Sequence, residues 1–197
     1  MTTAGSQCVG DEPVFPIVGW AGPGGAQIND KVMADMRRAG FTVSHSAAGA
    51  TLAEVRRALD VAHGNGVRLL LQHPAYHAVG EFTLDKAARR AIRTVVEAVR
   101  EHPGLYGYDV RDEPYVPEFE RVAAVARFVA ELDDRHLVYV NHHAPFKGGP
   151  GSRTPEATWR RILELFRPQV LSYDHYSIMV ATEEELGGAE MHTTISG

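Results

Sequence analysis

Three charged side chains follow one another where an apolar run of the sequence ends. The stretch "GYDVRDEPY" contains Arg111, Asp112 and Glu113, and Pro114 then stops the run. A carboxyl group held there and partly removed from water would have its pKa raised, so it could donate a proton near neutral pH. The same residues could instead form a structural cluster of ion pairs at a strand end, and the residues alone leave both interpretations open.

Polar and aromatic residues close five other apolar runs in the same way. Their rings could stack on a ligand and their polar atoms could hydrogen-bond it. The set is Trp20, His45, Gln72 with His73, Asn141 with His142 and His143, and Asp174 with His175 and Tyr176. Histidines and carboxylates are also how metal-dependent hydrolases and isomerases hold zinc or manganese. No HxH follows the first run and no HExxH occurs, so we predict neither a metal nor another cofactor.

Six short runs rich in β-branched and aromatic residues alternate with segments of helical spacing. The runs are "PVFPIVGW", "FTVSHS", "VRLLLQH", "LYGYDV", "HLVYVNHH" and "VLSYDHY". Helix starts are marked by a capping box from Thr51 to Glu54 and by Thr154 before Pro155. A strand followed by a helix, six times over, predicts parallel strands joined by helical crossovers.

The placement of the polar residues favours a (β/α)8 barrel over an open sheet. In a barrel all strand ends meet at one mouth, and the glycines after the first run lack the GxGxxG spacing of a dinucleotide site. A whole barrel needs about 250 residues, so we predict an α/β fold of the TIM-barrel type with about six βα units and without strands seven and eight. Residues 1–197 form one partial barrel domain in this prediction, with a flexible start over 1–12 and an irregular tail over 181–197.

Side-chain alternation along the fourth strand predicts which residues face the barrel interior. It places Asp109, Arg111 and Glu113 inside, and Tyr106, Tyr108 and Val110 towards the helices. Pro114 is expected to hold Glu113 in an extended conformation. Other expected positions are Leu69, Leu71 and Tyr139 lining the barrel, Trp20, Tyr76 and Tyr115 at the mouth, and Trp159, Phe128 and Phe166 in the core.

"GYDVRDEP" and "SYDHY" together resemble the retaining (β/α)8 glycoside hydrolases, over residues 13–180. Those enzymes have Asn-Glu-Pro at the end of strand four, where the Glu is the acid/base, and a nucleophile on strand seven. A hydrolase-like branch has Asp-Glu-Pro, as this chain does. The resemblance implies that Glu113 is the acid/base, that Asp112 replaces the Asn that binds the sugar 2-hydroxyl, and that Tyr176 borders the nucleophile.

The nucleophile implied by this resemblance has no counterpart in the sequence. Glu183, Glu184 and Glu185 lie in a polar run after the sixth strand and are expected to be an exposed helix start. We therefore predict a hydrolase-like protein that acts on or binds a carbohydrate and is inactive as an isolated chain. Two alternatives stay open: a non-catalytic carbohydrate-binding barrel, and a metal-dependent barrel hydrolase or isomerase.

The predicted substrate-binding residues lie at the strand ends around Glu113. They are Trp20, His45, Gln72, His73, Asp112, Asn141, His142, Asp174, His175 and Tyr176. Since an open barrel has two unpaired edges, self-association or a second chain that completes the barrel is expected.

Composition argues against some classes of binding partner. The net charge of −5, with acids and bases mixed along 197 residues, argues against a nucleic-acid or membrane surface. Cys8 is the single cysteine, so no disulfide forms within the chain. The first residues lack the pattern of a signal peptide, which slightly favours the cytoplasm.

Overall fold

Six parallel strands form one sheet in which neighbours follow the order of the chain. The structure, a computed structural model, describes residues 8–9, 12–13, 15–77, 83–143 and 154–174. The strands are β1 (Val18–Gly19), β2 (Val43–Ala47), β3 (Arg68–Gln72), β4 (Leu105–Asp112), β5 (Leu137–His142) and β6 (Ser172–Tyr173). The helices are α1 (Asp30–Arg38), α2 (Leu52–Gly64), α3 (Lys86–Val99), α4 (Phe119–Leu132) and α5 (Pro155–Phe166).

The winding of these elements is that of a barrel. A doubly wound sheet reverses its strand order at a switch point, whereas a (β/α)8 barrel adds each strand beside the previous one. Here the order runs from β1 to β6 without reversal, and each helix from α1 to α4 contacts the next helix in the chain. The helices therefore form one layer on one side of the sheet, and the predicted incomplete (β/α)8 barrel is confirmed.

The sheet is strongly curved towards its other side. Neighbouring strands lie about 4.8 Å apart, so a flat sheet would separate β1 from β5 by about 19 Å. The ring centroid of Trp20, directly after β1, nevertheless lies 5.9 Å from that of Tyr139 on β5. The side opposite the helices is therefore concave, and we call it the concave face.

The first run of the sequence contributes less to this sheet than its composition predicts. Of "PVFPIVGW", Val18 and Gly19 pair with β2, while Pro13 belongs to a separate two-stranded antiparallel ribbon of Cys8–Val9 with Glu12–Pro13. The described ribbon falls largely within the predicted flexible start, over residues 1–12.

Helix starts follow the predicted capping chemistry. The Thr51 hydroxyl accepts a hydrogen bond from the Glu54 N–H at 3.2 Å, and the Glu54 carboxylate accepts one from the Thr51 N–H at 2.9 Å. Thr154 caps α5 by accepting from the N–H of Ala157 at 3.2 Å. These local bonds satisfy backbone donors that the first turn of a helix leaves unpaired.

The core lies between the sheet and the helices. It contains residues that were predicted to line the barrel or its mouth. Leu69 and Leu71 are fully buried in it, so the prediction that they line the barrel is wrong. Gln72 reaches the concave face, and alternation along β3 therefore sends Leu69 and Leu71 to the helix side. Tyr76 is also fully buried and donates its hydroxyl to the carbonyl of Leu71 at 2.7 Å, so it is not a residue of the mouth.

The three aromatic residues predicted to be in the core do pack there. Phe128 and Phe166 are buried, and Trp159 is half-buried against the core with its ring beside that of Tyr173.

A β-bulge in β4 changes which of its residues face the interior. Asp109 pairs with Tyr139 and Asp112 with Asn141, while Arg111 pairs with Val140 and Val110 is passed over. Two consecutive residues thus oppose one, so the alternation shifts by one residue after Asp109. The prediction that Arg111 faces the interior is wrong: its guanidinium pairs with Glu118, beside α4, at 3.3 Å.

A buried cluster around Asp133 lies before the start of β5, beside β4. The hydroxyl of Tyr108 donates to the Asp133 carboxylate at 2.6 Å, and His136 Nδ1 and the Arg135 N–H lie 2.7 and 3.0 Å from the same group. Burial acts to raise the pKa of Asp133, but these donors and the His136 charge outweigh it, so the pKa is lowered. The cluster anchors the connection between α4 and β5.

We expect Tyr108→Phe to lower the free energy of unfolding by about 2 kcal/mol, because a buried carboxylate loses one of its donors. Urea unfolding measures the effect. Tyr106→Phe is the matched control, since Tyr106 is half-buried and its hydroxyl bonds none of the described residues. Equal effects of the two substitutions would contradict the role given to the Tyr108 bond.

Both end strands of the sheet carry exposed apolar side chains. Beside β1 these are Phe15 and Ile17, and beside β6 they are Val170 and Leu171, each between 43% and 82% exposed. Self-association, or completion of the barrel by a second chain, stays a prediction. Among the described helices, none has both the length and the apolar character needed to cross a membrane.

Candidate functional site

Glu113 follows the end of β4 in an unusual backbone conformation that a hydrogen bond to β5 stabilises. Its φ is 46°, in the left-handed region, so the prediction of an extended conformation before Pro114 is wrong. A residue other than glycine is uncommon in this region, and the surroundings must stabilise it. The N–H of Glu113 donates to the carbonyl of Asn141 at 2.8 Å, which ties the turn to the end of β5.

The side chain of Asn141 organises the acidic residues around Glu113. Its amide nitrogen donates to Asp112 and to Asp174, each at 2.9 Å, and its amide oxygen accepts from the Ser172 hydroxyl at 2.8 Å. Asn141 is 1% exposed. Its amide is therefore engaged on both sides, and it positions the two carboxylates at the ends of β4 and β6.

The Glu113 carboxyl lies between the imidazole of His143 and the carboxyl group of Asp174. His143 Nδ1 is 3.1 Å from Glu113 Oε1, and Asp174 forms a hydrogen bond with the same carboxyl group. Burial is the main cause that raises the pKa of Glu113; the charges of Asp174 and Asp112 add to it, and His143 opposes it. The side chain is still 32% exposed, so this carboxyl is open to a ligand.

A second polar cluster, which we call the Asp109 cluster, lies deeper on the concave face. Asp109 is fully buried, and its Oδ2 is 2.9 Å from His45 Nε2 and 3.2 Å from the Gln72 amide nitrogen. His77 Nδ1 lies 3.9 Å from the same oxygen. Burial lowers the pKa of His77, and the Asp109 charge opposes this shift. The Asp109 cluster therefore joins β2, β3 and β4 beneath the mouth.

Trp20 provides an aromatic surface above this cluster. Its ring stacks on that of His45 with centroids 4.2 Å apart and planes 8° apart. Trp20 is 42% exposed, which leaves part of the ring available for stacking on a ligand. His45 therefore supports Trp20 from below.

Two of the predicted substrate-binding histidines have other roles. His73 is 5% exposed; its Nε2 lies 3.2 Å from the Ala50 carbonyl oxygen, and its Nδ1 accepts from the Ala75 N–H at 3.1 Å. Burial lowers the pKa of this imidazole. Both ring nitrogens of His73 thus bond to the backbone, and neither is left for a ligand.

His142 lies on the helix side of the sheet, so its predicted place at the mouth is wrong. Its ring contacts Phe119 and Phe166 edge to face, and it is 1% exposed. Neither ring nitrogen bonds to any of the described residues. Alternation along β5 explains this position, because Asn141 faces the interior and the next residue must face the helices.

The structure thus brings most of the predicted site together. Trp20, Gln72, Asp112, Glu113, Asn141 and Asp174 contribute to the concave face, with His45 beneath Trp20. His175, Tyr176 and the glutamates 183–185 lie outside the described residues. Across the described ranges, no group of three or more His, Cys, Asp or Glu side chains is arranged to hold a metal ion.

Several contributors to this site were not identified as site residues from the sequence. Asp109 was predicted to face the interior, but its bonds to His45 and Gln72 make it the centre of a cluster. Ser172 and His77 carried no motif. Ser172 could have been found from its position two residues before Asp174, which places both on the same face of a strand.

Comparison with known proteins identifies solved structures that resemble this chain. No protein-family model and no curated protein sequence matches the chain. Similar solved structures include the Pseudomonas stutzeri endoglucanase Cel5A in complex with cellobiose, at 21% identity over 62% of this chain with a TM-score of 0.46. A beta-mannanase from the blue mussel Mytilus edulis is 11% identical over 73% of this chain, with a TM-score of 0.47. A Thermobacillus composti GH10 xylanase is 15% identical over 76% of this chain, with a TM-score of 0.46. The chain spans 45%, 60% and 51% of these three structures, less than two thirds of each.

Proposed function

We propose that the concave face binds a carbohydrate and that Glu113 has the position of the acid/base of a retaining glycoside hydrolase. The observation that carries this proposal is the Glu113 carboxyl itself, which has a raised pKa and stays partly exposed at the C-terminal end of β4. A protonated carboxyl there can donate its proton to the oxygen of a departing sugar. The aromatic ring of Trp20 supplies a surface on which a sugar ring can stack.

The neighbouring carboxylates do not complete a hydrolytic pair in this proposal. Retaining hydrolysis needs a second carboxyl about 5 to 5.5 Å from the first. Asp174 forms a hydrogen bond with Glu113, and Asp112 accepts one from Asn141. We therefore assign the nucleophile to a strand from outside this chain and expect the isolated chain to bind sugar without hydrolysing it.

Binding is tested with the exposed Trp20 as the reporter. Trp159→Phe removes the other tryptophan, so the fluorescence of this variant comes from Trp20 alone. We expect β-1,4-linked oligosaccharides of glucose, mannose or xylose to change this fluorescence with a saturable dependence on concentration. Failure of all three to bind would contradict the proposed function.

Trp20→Ala should weaken the affinity for the sugar by about fivefold, because the loss of one stacked aromatic ring costs about 1 kcal/mol. Isothermal titration calorimetry measures the affinity directly. Trp159→Phe is the control and should leave the affinity unchanged, since Trp159 packs on the helix side against Tyr173. An unchanged affinity of Trp20→Ala would remove the stacking surface from the account.

A further inference from the structure

The proposed function leaves one contact of Glu113 unexplained. His143 Nδ1 lies 3.1 Å from Glu113 Oε1, on the strand end next to the one that carries Glu113. Acid catalysis requires a carboxyl that holds a proton, yet an imidazolium at this distance stabilises the carboxylate. The two groups therefore influence each other's charge.

The imidazole of His143 is held in this position from a second direction. The ring of Tyr115 lies against it with centroids 4.8 Å apart and planes 30° apart. Tyr115 and Glu113 are two residues apart in the turn after β4, and the N–H of Glu113 is bonded to the Asn141 carbonyl at the end of β5. One backbone turn thus presents both a carboxyl and an aromatic ring to the same imidazole.

We propose that His143 is the positioning residue that decides when Glu113 carries its proton, in opposition to Asp174. This inference rests on the proposed function only for the role of Glu113 as acid/base. A neutral imidazole leaves the charges of Asp174 and Asp112 unopposed, which favours a protonated Glu113 that can donate a hydrogen bond to the Asp174 carboxylate. A protonated imidazole can donate its Nδ1–H to the Glu113 carboxylate across the 3.1 Å contact, and its charge favours the ionised form.

The charges around the pair are those of three neighbouring strand ends. Asp112 is the last residue of β4, while His143 and Asp174 come directly after β5 and β6. Each of the three affects the pKa of Glu113. The two acids favour the protonated Glu113 and His143 favours the ionised form. Since interacting groups titrate as a unit, removal of either neighbour must move the titration of Glu113 in a predictable direction.

The test is a ¹³C NMR titration of Glu113 in the full chain labelled at its glutamate carboxyls, without any sugar. His143→Gln should raise the midpoint of Glu113 by about one pH unit, the lower end of the effect of a nearby opposite charge. Asp174→Asn should lower the midpoint. Tyr115→Ala should move it in the same direction as His143→Gln, because the imidazole loses its supporting ring, and Tyr115→Phe should restore it.

His102→Gln is the control for the loss of a histidine elsewhere. His102 bonds to Asp60 in front of β4, and its replacement should leave the Glu113 midpoint in place. An unchanged or lowered midpoint in His143→Gln would overturn the inference. Because the titration uses no sugar, a failure here is distinct from a failure of the fluorescence and calorimetric tests of sugar binding.

Discussion

Glu113→Gln should lower the turnover of an ordinary glycoside by a factor of about 10² to 10⁴, the usual contribution of general acid-base catalysis. The amide keeps the size of the side chain but cannot give a proton to the leaving oxygen. The measurement needs a completed barrel, in which two further βα units that carry a carboxylate nucleophile are joined to this chain. Steady-state kinetics of this fusion, with and without the substitution, give the factor.

The control for this substitution is Glu97→Gln. Glu97 lies on α3 and pairs with Arg93 at the protein surface, so its replacement should leave turnover unchanged. Substrates with a strongly activated leaving group should lose least in the glycosylation step, because they need little protonation. A Glu113→Gln fusion as fast as its parent on an ordinary glycoside would remove Glu113 from the mechanism.

His142 should make the folded chain sensitive to acid. Its imidazole is 1% exposed, contacts two phenylalanine rings, and bonds to none of the described residues through either nitrogen. Burial, and secondarily the charge of His143, lowers the pKa of His142 from 6.5 to about 4. The fold therefore holds the neutral imidazole, whereas the unfolded chain takes up a proton at a higher pH.

The expected loss of stability follows from this difference between the two states. Between about pH 6.5 and pH 4 the unfolded chain binds one more proton at His142, so the free energy of unfolding falls as the pH falls. The full difference corresponds to about 3 kcal/mol. Above pH 6.5 both states are neutral at this residue, and its contribution no longer changes with pH.

Urea unfolding at a series of pH values measures this effect. His142→Leu removes the titrating group and should lose this part of the pH dependence, while His102→Gln should keep it. A His142→Leu variant with the same decline as the parent between pH 6.5 and pH 4 would show that other groups cause the acid sensitivity.

The parallel order of the strands could be predicted because each βα unit repeats the same local signals. A run of β-branched residues, a capping residue such as Thr51 and a helical spacing occur within one stretch of chain. The position of Asp109 also followed from alternation along a regular strand. These features depend on neighbouring residues, and a sequence contains that information directly.

The details of the site depend on contacts between distant segments. The bulge at Val110 shifts the alternation of β4, so that Asp112 takes the interior position expected for Arg111. The left-handed backbone of Glu113 is held by the carbonyl of Asn141, 28 positions along the chain. Local sequence patterns do not predict such cross-strand bonds.

Mapping of a bound oligosaccharide by NMR tests the central claim most directly. We expect a β-1,4-linked oligosaccharide, added to the ¹⁵N-labelled chain, to shift the backbone amides of Trp20, Glu113 and Asn141, at the ends of β1, β4 and β5. One competing location is a cavity of about 290 Å³ on the helix side, lined by residues that include Ala126, Val138 and Phe166. Shifts confined to residues of that cavity or to other residues outside the concave face, or no shifts at all, would contradict a carbohydrate site on the concave face.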